Sequence, residues 1–271
     1  MAKAFSVASW NVEHFNQEQE EERVKRVIDF LSLQKPDVFA LYEVEGSEVF
    51  SPLVSQMSGY TFHITEGPQV QEILLGIRHG LTAFFTQRIE FKSGVTAMRP
   101  GALVTMTVSG VHYPLLFLHT ASGSNPRGLG LRDDMLDRAC EFRETLDKAG
   151  GGRANYIFLG DLNTMGMKYL AGKNISTDEE LVSLAKKVKK YTMRFLKKDA
   201  PATWSNGSAS RYSPSNLDHV IAAEHLEFTL FGDAEVSVRG WPKEQTTAEQ
   251  DSWIHDYSDH GLLYFEVQKV S

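Results

Sequence analysis

Short apolar runs alternate with polar segments along this chain, and many of the runs end on a carboxylate, an amide or an imidazole. Ala4 to Trp10 reads as a strand that stops at Asn11. Asn16 then stands where it can cap a helix over Val24, Val27, Ile28 and Leu31, which the Lys35-Pro36-Asp37 turn closes. Val38 to Tyr42 is a near-continuous apolar run of the buried-strand kind that delivers Glu43, and Ser47 is placed to cap a helix toward Met57. From Tyr60 to Val108 the pattern turns β-rich, with strands expected at Tyr60 to Thr65, Glu72 to Arg78, Thr82 to Phe91 and Ala102 to Val108.

Leu115 to Leu118 is a further buried strand, leading into His119. A helix with Met135, Ala139, Phe142 and Leu146 at helical spacing follows and ends at Gly150-Gly151-Gly152. Tyr156 to Leu159 runs into Gly160-Asp161. Thr177-Asp178-Glu179-Glu180 has capping-box spacing ahead of a helix through Leu181, Leu184, Val188, Tyr191 and Phe195. Asp218 to Ala222, Phe228 to Phe231 and Leu262 to Val267 complete the expected strands, with a polar stretch from Lys243 to Asp256. No repeat of fixed period and no interdomain linker interrupts this order, so one domain over residues 1–271 is expected.

Composition narrows the class. With 42% hydrophobic residues, the 271-residue chain can bury a full core. One cysteine, Cys140, excludes an intramolecular disulfide framework and reads as a small core residue of a protein kept reduced. The opening has no signal-like apolar run and no stretch is long enough to span a bilayer, so a cytoplasmic, soluble protein is expected. A formal charge of −7 argues against coating nucleic acid by bulk electrostatics, but not against a nuclease with an acidic metal site.

Asn11, Glu43, Asp161, Asn163 and Asp259 flank apolar runs that should lie side by side. Any one of them alone is as readily a cap or a surface acid. Together they offer the oxygen-rich ligation that suits Mg2+ or Mn2+, whereas one cysteine and scattered histidines do not suit a structural zinc site.

Ser9-Trp10-Asn11-Val12-Glu13, Asp37 through Glu43, Gly160-Asp161-Leu162-Asn163, Leu217-Asp218-His219-Val220 and Ser258-Asp259-His260-Gly261 together resemble the motif series of the endonuclease/exonuclease/phosphatase superfamily, in family order and over nearly the whole chain. The resemblance implies an α/β four-layer sandwich of two packed mixed β-sheets flanked by helices, as in deoxyribonuclease I. It implies Glu43 as the principal metal-binding carboxylate, with Asn11 and Asp259 beside it, and Asp161 and Asn163 as the pair that positions water and contacts phosphate. His260 matches the family's histidine, held by Asp218, since an Asp that accepts one imidazole N–H fixes the tautomer. His119 resembles the histidine of deoxyribonuclease I-like and sphingomyelinase-like members, and Glu72 resembles the carboxylate that partners it. One imidazole would take a proton from water and the other would give one to the leaving oxygen. His219, next to Asp218 on a strand, should point to the opposite face.

For substrate, Lys186, Lys190, Arg194 and Lys197 fall at helical spacing as a basic face, and the loops with Asn125, Arg127 and Arg132 and with Trp204 and Arg211 offer phosphate donors and an aromatic platform. Thr203-Trp204-Ser205-Asn206 departs from the Trp-Cys-Asp-Arg motif of inositol polyphosphate phosphatases. The expected activity is a Mg2+- or Mn2+-dependent phosphodiesterase of nucleic acid, DNA ahead of RNA. The competing expectations are hydrolysis of a small or lipid phosphoester, and a catalytically silent binding protein.

Overall fold

The computed structural model describes residues 2–16, 21–67 and 71–270. The first part of the chain forms β1 (Lys3–Phe15), α1 (Glu21–Gln34), β2 (Val38–Val44), α2 (Phe50–Gln56), β3 (Tyr60–Ile64) and β4 (Glu72–Arg78). Then come β5 (Thr82–Arg88), β6 (Gly101–Val108), β7 (Val111–His119), α3 (Pro126–Gly150), β8 (Ile157–Asp161), α4 (Thr177–Lys190) and β9 (Met193–Phe195). The chain closes with β10 (Asp218–Ala223), β11 (Ser237–Arg239), α5 (Thr247–Asp256) and β12 (Leu262–Gln268). One sheet has the order β11-β12-β1-β2-β4-β3 and the other β5-β6-β7-β8-β10-β9. Both are mixed: β1 runs parallel to β2 and β7 parallel to β8, while the other neighbours are antiparallel.

Three apolar clusters explain the layering. Phe5, Val7, Ala40 and Tyr42 of the first sheet meet Val104, Phe117, Leu159 and Val220 of the second in a core between the sheets. The alternate residues Ala8, Trp10, Phe39 and Leu41 face outward under α1, α2 and α5. Leu116, Phe158 and Ile221 do the same under α3 and α4. Strands covered on both faces must be apolar at both parities, which is why β1, β2 and β8 read as unbroken runs. The result is α-β-β-α, four layers as expected. Among the described residues no helix is long and apolar enough to cross a membrane.

Helix ends follow side-chain capping. Asn125 accepts from Gly128 N–H ahead of Pro126, and Gly151 closes α3 at φ 67°. The capping box of α4 is Ser176 with Glu179, one residue earlier than the expected start. Ser47 opens a 3-10 turn before α2 rather than capping it. The expected cap at Asn16 adjoins residues 17–20, which lie outside the described residues.

Several segments differ from expectation. β5 stops at Arg88 because the chain turns to bury Phe91 edge-on against Phe142 at 5.9 Å. α4 ends at Lys190; Thr192 is left-handed, and Met193–Phe195 pairs with β10 as an edge strand. The expected basic helical face is therefore not formed. Arg194 is on the strand, bonded twice to Glu235, and Lys197 pairs with Asp233. Phe228 to Phe231 makes isolated bridges, not a strand. The polar stretch after Lys243 contains α5, capped by Thr246 and Glu249, whose Trp253 packs on Trp10 and Tyr257.

Candidate functional site

Strand parity builds the site. Residues Phe5, Val7 and Ser9 of β1, Leu115 and Phe117 of β7, Ile157 and Leu159 of β8, and Val220 and Ala222 of β10 face the other sheet or share that parity. The next residues of the same parity are Asn11, His119, Asp161 and Asp218, at the rim where the apolar core ends. The β10–β8 register sets Asp218 opposite Asp161, and β7–β8 sets His119 beside Asp161. Glu43 breaks the alternation of Ala40 and Tyr42 and reaches the rim through a left-handed backbone at φ 62°. Glu13, His14 and Asn163 are also left-handed, so backbone strain gathers at this rim. Gly160 is required where the sheets close in: a Cβ there would lie 2.0 Å from Leu118 O and 2.7 Å from Tyr42 Oη.

Asn11 Nδ2 donates to Glu43 Oε1 and to Asp161 Oδ2, both at 3.0 Å, joining the two sheets. Asp161 Oδ1 accepts from Asn163 N–H at 3.0 Å, and Asn163 Nδ2 donates to Thr120 O at 3.2 Å. His260 Nδ1 bonds Asp218 Oδ2 at 2.8 Å, leaving Nε2 toward Asp161 Oδ2 and Asp259 Oδ1, each at 3.9 Å. Ser258 Oγ donates to Asn11 O at 2.7 Å and accepts from His260 N–H, which fastens the last motif to β1. Thr203 Oγ1 accepts from both Leu217 and Asp218 N–H at 3.0 Å. His119 Nε2 approaches the same Asp161 Oδ2, at 3.5 Å, and Glu43 Oε1 at 3.7 Å. Both imidazoles thus address one carboxylate oxygen.

Electrostatics divide the rim. Burial pushes Asp161 up to about 7, against the pull of His260 and with Asp218 adding to the rise. Burial also raises Asp259 and Glu13, which carries the charge of Asp259 nearby. For His260 burial opposes the proton, but Asp218, Asp259 and Asp161 together outweigh it and hold the ring well above its ordinary value. His119 is driven the other way by burial, then by Arg99 and His260, and is neutral. Buried Asp259 Oδ1 has no hydrogen-bond partner. Ligand atoms of Glu43, His119 and Asp161 lie within 4.8 Å of one another. A crowded set of carboxylates, one with an orphaned oxygen, fits a hard divalent cation.

Placement of the remaining candidates is mixed. Glu72 does not reach His119: Thr65 Oγ1 holds its carboxylate, and burial raises it while Thr65, Gly67 N–H and Arg99 lower it. The group against His119 is Arg99, which the sequence reading missed, with Nε donating to Nδ1 at 2.9 Å and Nη2 3.0 Å from Nε2. Its one signal was an arginine directly ahead of a strand opening at Pro100-Gly101. Arg132 is fully buried and is not a substrate contact. It pairs with Glu180 at 2.6 Å and donates to the carbonyls of Ala121, Gly123 and Gly166. Trp204 spends its indole N–H on Asp259 Oδ2 at 2.6 Å. Asn125 caps α3, whereas Arg127 is exposed and Arg211 is exposed with its guanidinium over Tyr212. His219 turns away from the rim, as its parity requires, and meets Phe195 edge-on.

The sequence profile of the Endonuclease/Exonuclease/phosphatase family matches residues 8–260. The chain belongs to this family. Family members are phosphoester hydrolases that depend on a divalent metal, and the matched span covers every rim residue named above. No curated protein sequence matches the chain. Among solved structures it is similar to truncated TDP2 of Caenorhabditis elegans, at 14% identity and TM-score 0.69, covering 98% of this chain and 97% of that one. D. rerio TDP2 complexed with a single strand DNA product is similar at 18% identity and TM-score 0.65, covering 98% and 99%. The mannosyl-6-phosphatase Bt3783 of Bacteroides thetaiotaomicron is similar at 15% identity and TM-score 0.60, covering 98% and 100%. At these identities the likeness establishes the deoxyribonuclease I-like fold that all of them share.

Proposed function

We propose that this family member is a Mg2+- or Mn2+-dependent phosphodiester hydrolase of nucleic acid, cutting the strand internally, with DNA as its first substrate. The observation that carries the reading is the approach of His119 and His260, at 3.5 and 3.9 Å, to a single oxygen of Asp161. Glu43, Asp161 and Asp259, with Asn11 beside them, are the residues that would hold the cation, and when bound it supplies positive charge for the phosphoryl oxygens.

Asp218 Oδ2 holds the Nδ1 proton of His260, and Nε2 is the ring atom left to exchange a proton with the reacting oxygens. Asn163, fixed by Thr120 O and Asp161, orients the phosphate. Neutral His119 donates a hydrogen bond without carrying charge, while Arg99 provides the cation on that side of phosphorus. The Glu72 carboxylate acts on Arg99 rather than on the imidazole. The exposed Arg127, in the first turn of α3, and Arg211, in the segment between β9 and β10, would take neighbouring phosphates. The DNA product in the D. rerio TDP2 complex supports a nucleic-acid strand for this fold.

The sugar phosphatase of the same fold supports a second reading, hydrolysis of a small phosphomonoester. Supercoiled plasmid, single-stranded DNA, RNA and mannose 6-phosphate, each with Mg2+, Mn2+ or EDTA, separate the two. Plasmid nicking abolished by EDTA and by Asp161→Ala is expected, with the variant shown folded by circular dichroism. Turnover of mannose 6-phosphate with intact nucleic acids would overturn the substrate. Normal hydrolysis by folded Asp161→Ala would overturn the mechanism.

A further inference from the structure

On the side of β10 turned away from the catalytic rim lies a cavity of about 410 Å³, walled by Leu181 and Ala185 of α4 with Phe195 and Ala200, and ending on Lys198 and His219. Its volume falls in the range of small-molecule sites, and its apolar walls converge on a few polar atoms. The Lys198 ammonium donates to Asn216 Oδ1 and to the Asp218 carbonyl. Its third N–H reaches only His219 Nδ1, at 3.5 Å, the limit of a hydrogen bond.

Among the described residues no carboxylate is ion-paired with this ammonium, and the Asp218 carboxylate is taken by His260. His219 adds no charge. Its Nε2 lies 2.9 Å from Thr164 Oγ1 and 3.1 Å from Asn216 O, and burial followed by the charge of Lys198 keeps it well below its ordinary value. Burial likewise pushes Lys198 down to about 7, with only the charge of Asp218 opposing. The lining of this open, mostly apolar depression thus includes a cation satisfied by neutral oxygens, an arrangement that an incoming anion stabilises.

We propose that this cavity binds a small aliphatic carboxylate, its head on Lys198 and its chain against the α4 wall. One cation with one weakly engaged donor matches a monoanion with an apolar body. A phosphate would need more donors than the cavity offers. The site is separate from the phosphoesterase centre, and its test does not depend on hydrolysis.

Octanoate, octanol and inorganic phosphate titrated into the full-chain protein by calorimetry provide the probes. Saturable one-to-one binding of octanoate is expected, about ten-fold or more tighter than octanol, without competition by phosphate. Lys198→Met should abolish the preference for octanoate over octanol. Ala185→Trp, at an exposed helix position, should weaken both, and it keeps the test decisive if Lys198→Met fails to fold. Absence of saturable octanoate binding to folded protein, full affinity in Lys198→Met, or full affinity in Ala185→Trp would each overturn the proposal. Displacement of octanoate by phosphate would overturn the carboxylate assignment.

Discussion

Two arginines, Arg132 and Arg99, each sit below the surface close to a motif loop, yet their surroundings give them opposite roles. Arg132 is wholly buried with Glu180 on two of its nitrogens and three backbone carbonyls on the rest of its fork. Gly166 N–H completes the arrangement by donating to Glu180 at 2.7 Å, so the loops after β7 and β8 are tied to α3 and α4. Arg99 is half-buried and rests on a neutral histidine, with Glu43, Asp161 and Glu72 acting on it through space. A buried cation whose hydrogen bonds all close within the protein is architecture; one whose compensation is incomplete is held ready for an anion.

The largest effect that would sharpen this contrast is on stability. Arg132→Met leaves Glu180 buried and unpaired and should cost about 3–5 kcal/mol in denaturant unfolding. The double variant Arg132→Met/Glu180→Leu should recover much of that loss, and a failure to recover would mean that the carbonyl contacts, not the ion pair, dominate. Arg99→Met should leave unfolding nearly unchanged but lower turnover by about 10²–10³-fold, the range for removing one stabilising donor at developing charge. Lysine should not restore the rate, because it lacks the planar fork. In the same variant the imidazole resonances of His119 should titrate at higher pH than in the parent, since the neighbouring cation is gone. Wild-type turnover in Arg99→Met would collapse the comparison.

The carboxylate side yields a pH effect of middle size. In metal-free protein Asp161 sits near 7 against an ordinary 3.8, so the folded state keeps a proton that the unfolded chain releases. That stabilisation is complete below the unfolded value and is lost as pH rises through the folded one. In EDTA, Asp161→Asn should therefore gain on the parent between pH 4 and 8, by about 2–4 °C in Tm for each kcal/mol, measured by calorimetry. Excess Mg2+ should shrink that gap by stabilising the parent alone. A gap independent of pH would show that Asp161 is ordinarily ionised in the fold. The smallest effects belong to exposed Arg127 and Arg211. Their alanine variants should raise KM for DNA by about two- to five-fold and flatten its dependence on salt, as the loss of one phosphate contact each requires.

The strands that carry the rim were legible because each is covered on two faces and must be apolar throughout, so the polar residue at its end stands out. Asn11, Glu43, His119 and Asp161 stood out in this way, whereas Asp218, at the head of its strand, was singled out by the resemblance of its motif. α5 was not, since a helix that buries mainly Trp253 leaves no apolar stripe. The basic row from Lys186 to Lys197 misled for a related reason. Helical spacing continued past Lys190, but the left-handed Thr192 and the free edge of β10 turned the chain into a strand. Arg132 was singled out for substrate and Arg99 was passed over because spacing reports which residues share an element, not which atoms satisfy them.

Alternation of apolar and polar positions, and the order of five short motifs, were sufficient by themselves to specify most of the strands and helices, the family and the residue types at the rim. Those features are local or ordered along the chain, and the backbone periods of two and 3.6 residues write them into it. Only the tertiary structure decided that Arg99 rather than Glu72 meets His119, that Arg132 is spent on Glu180, and that Lys198 lines a cavity behind Asp218. Each depends on which charges are desolvated together and which hydrogen bonds remain open, and neither is settled until distant segments pack.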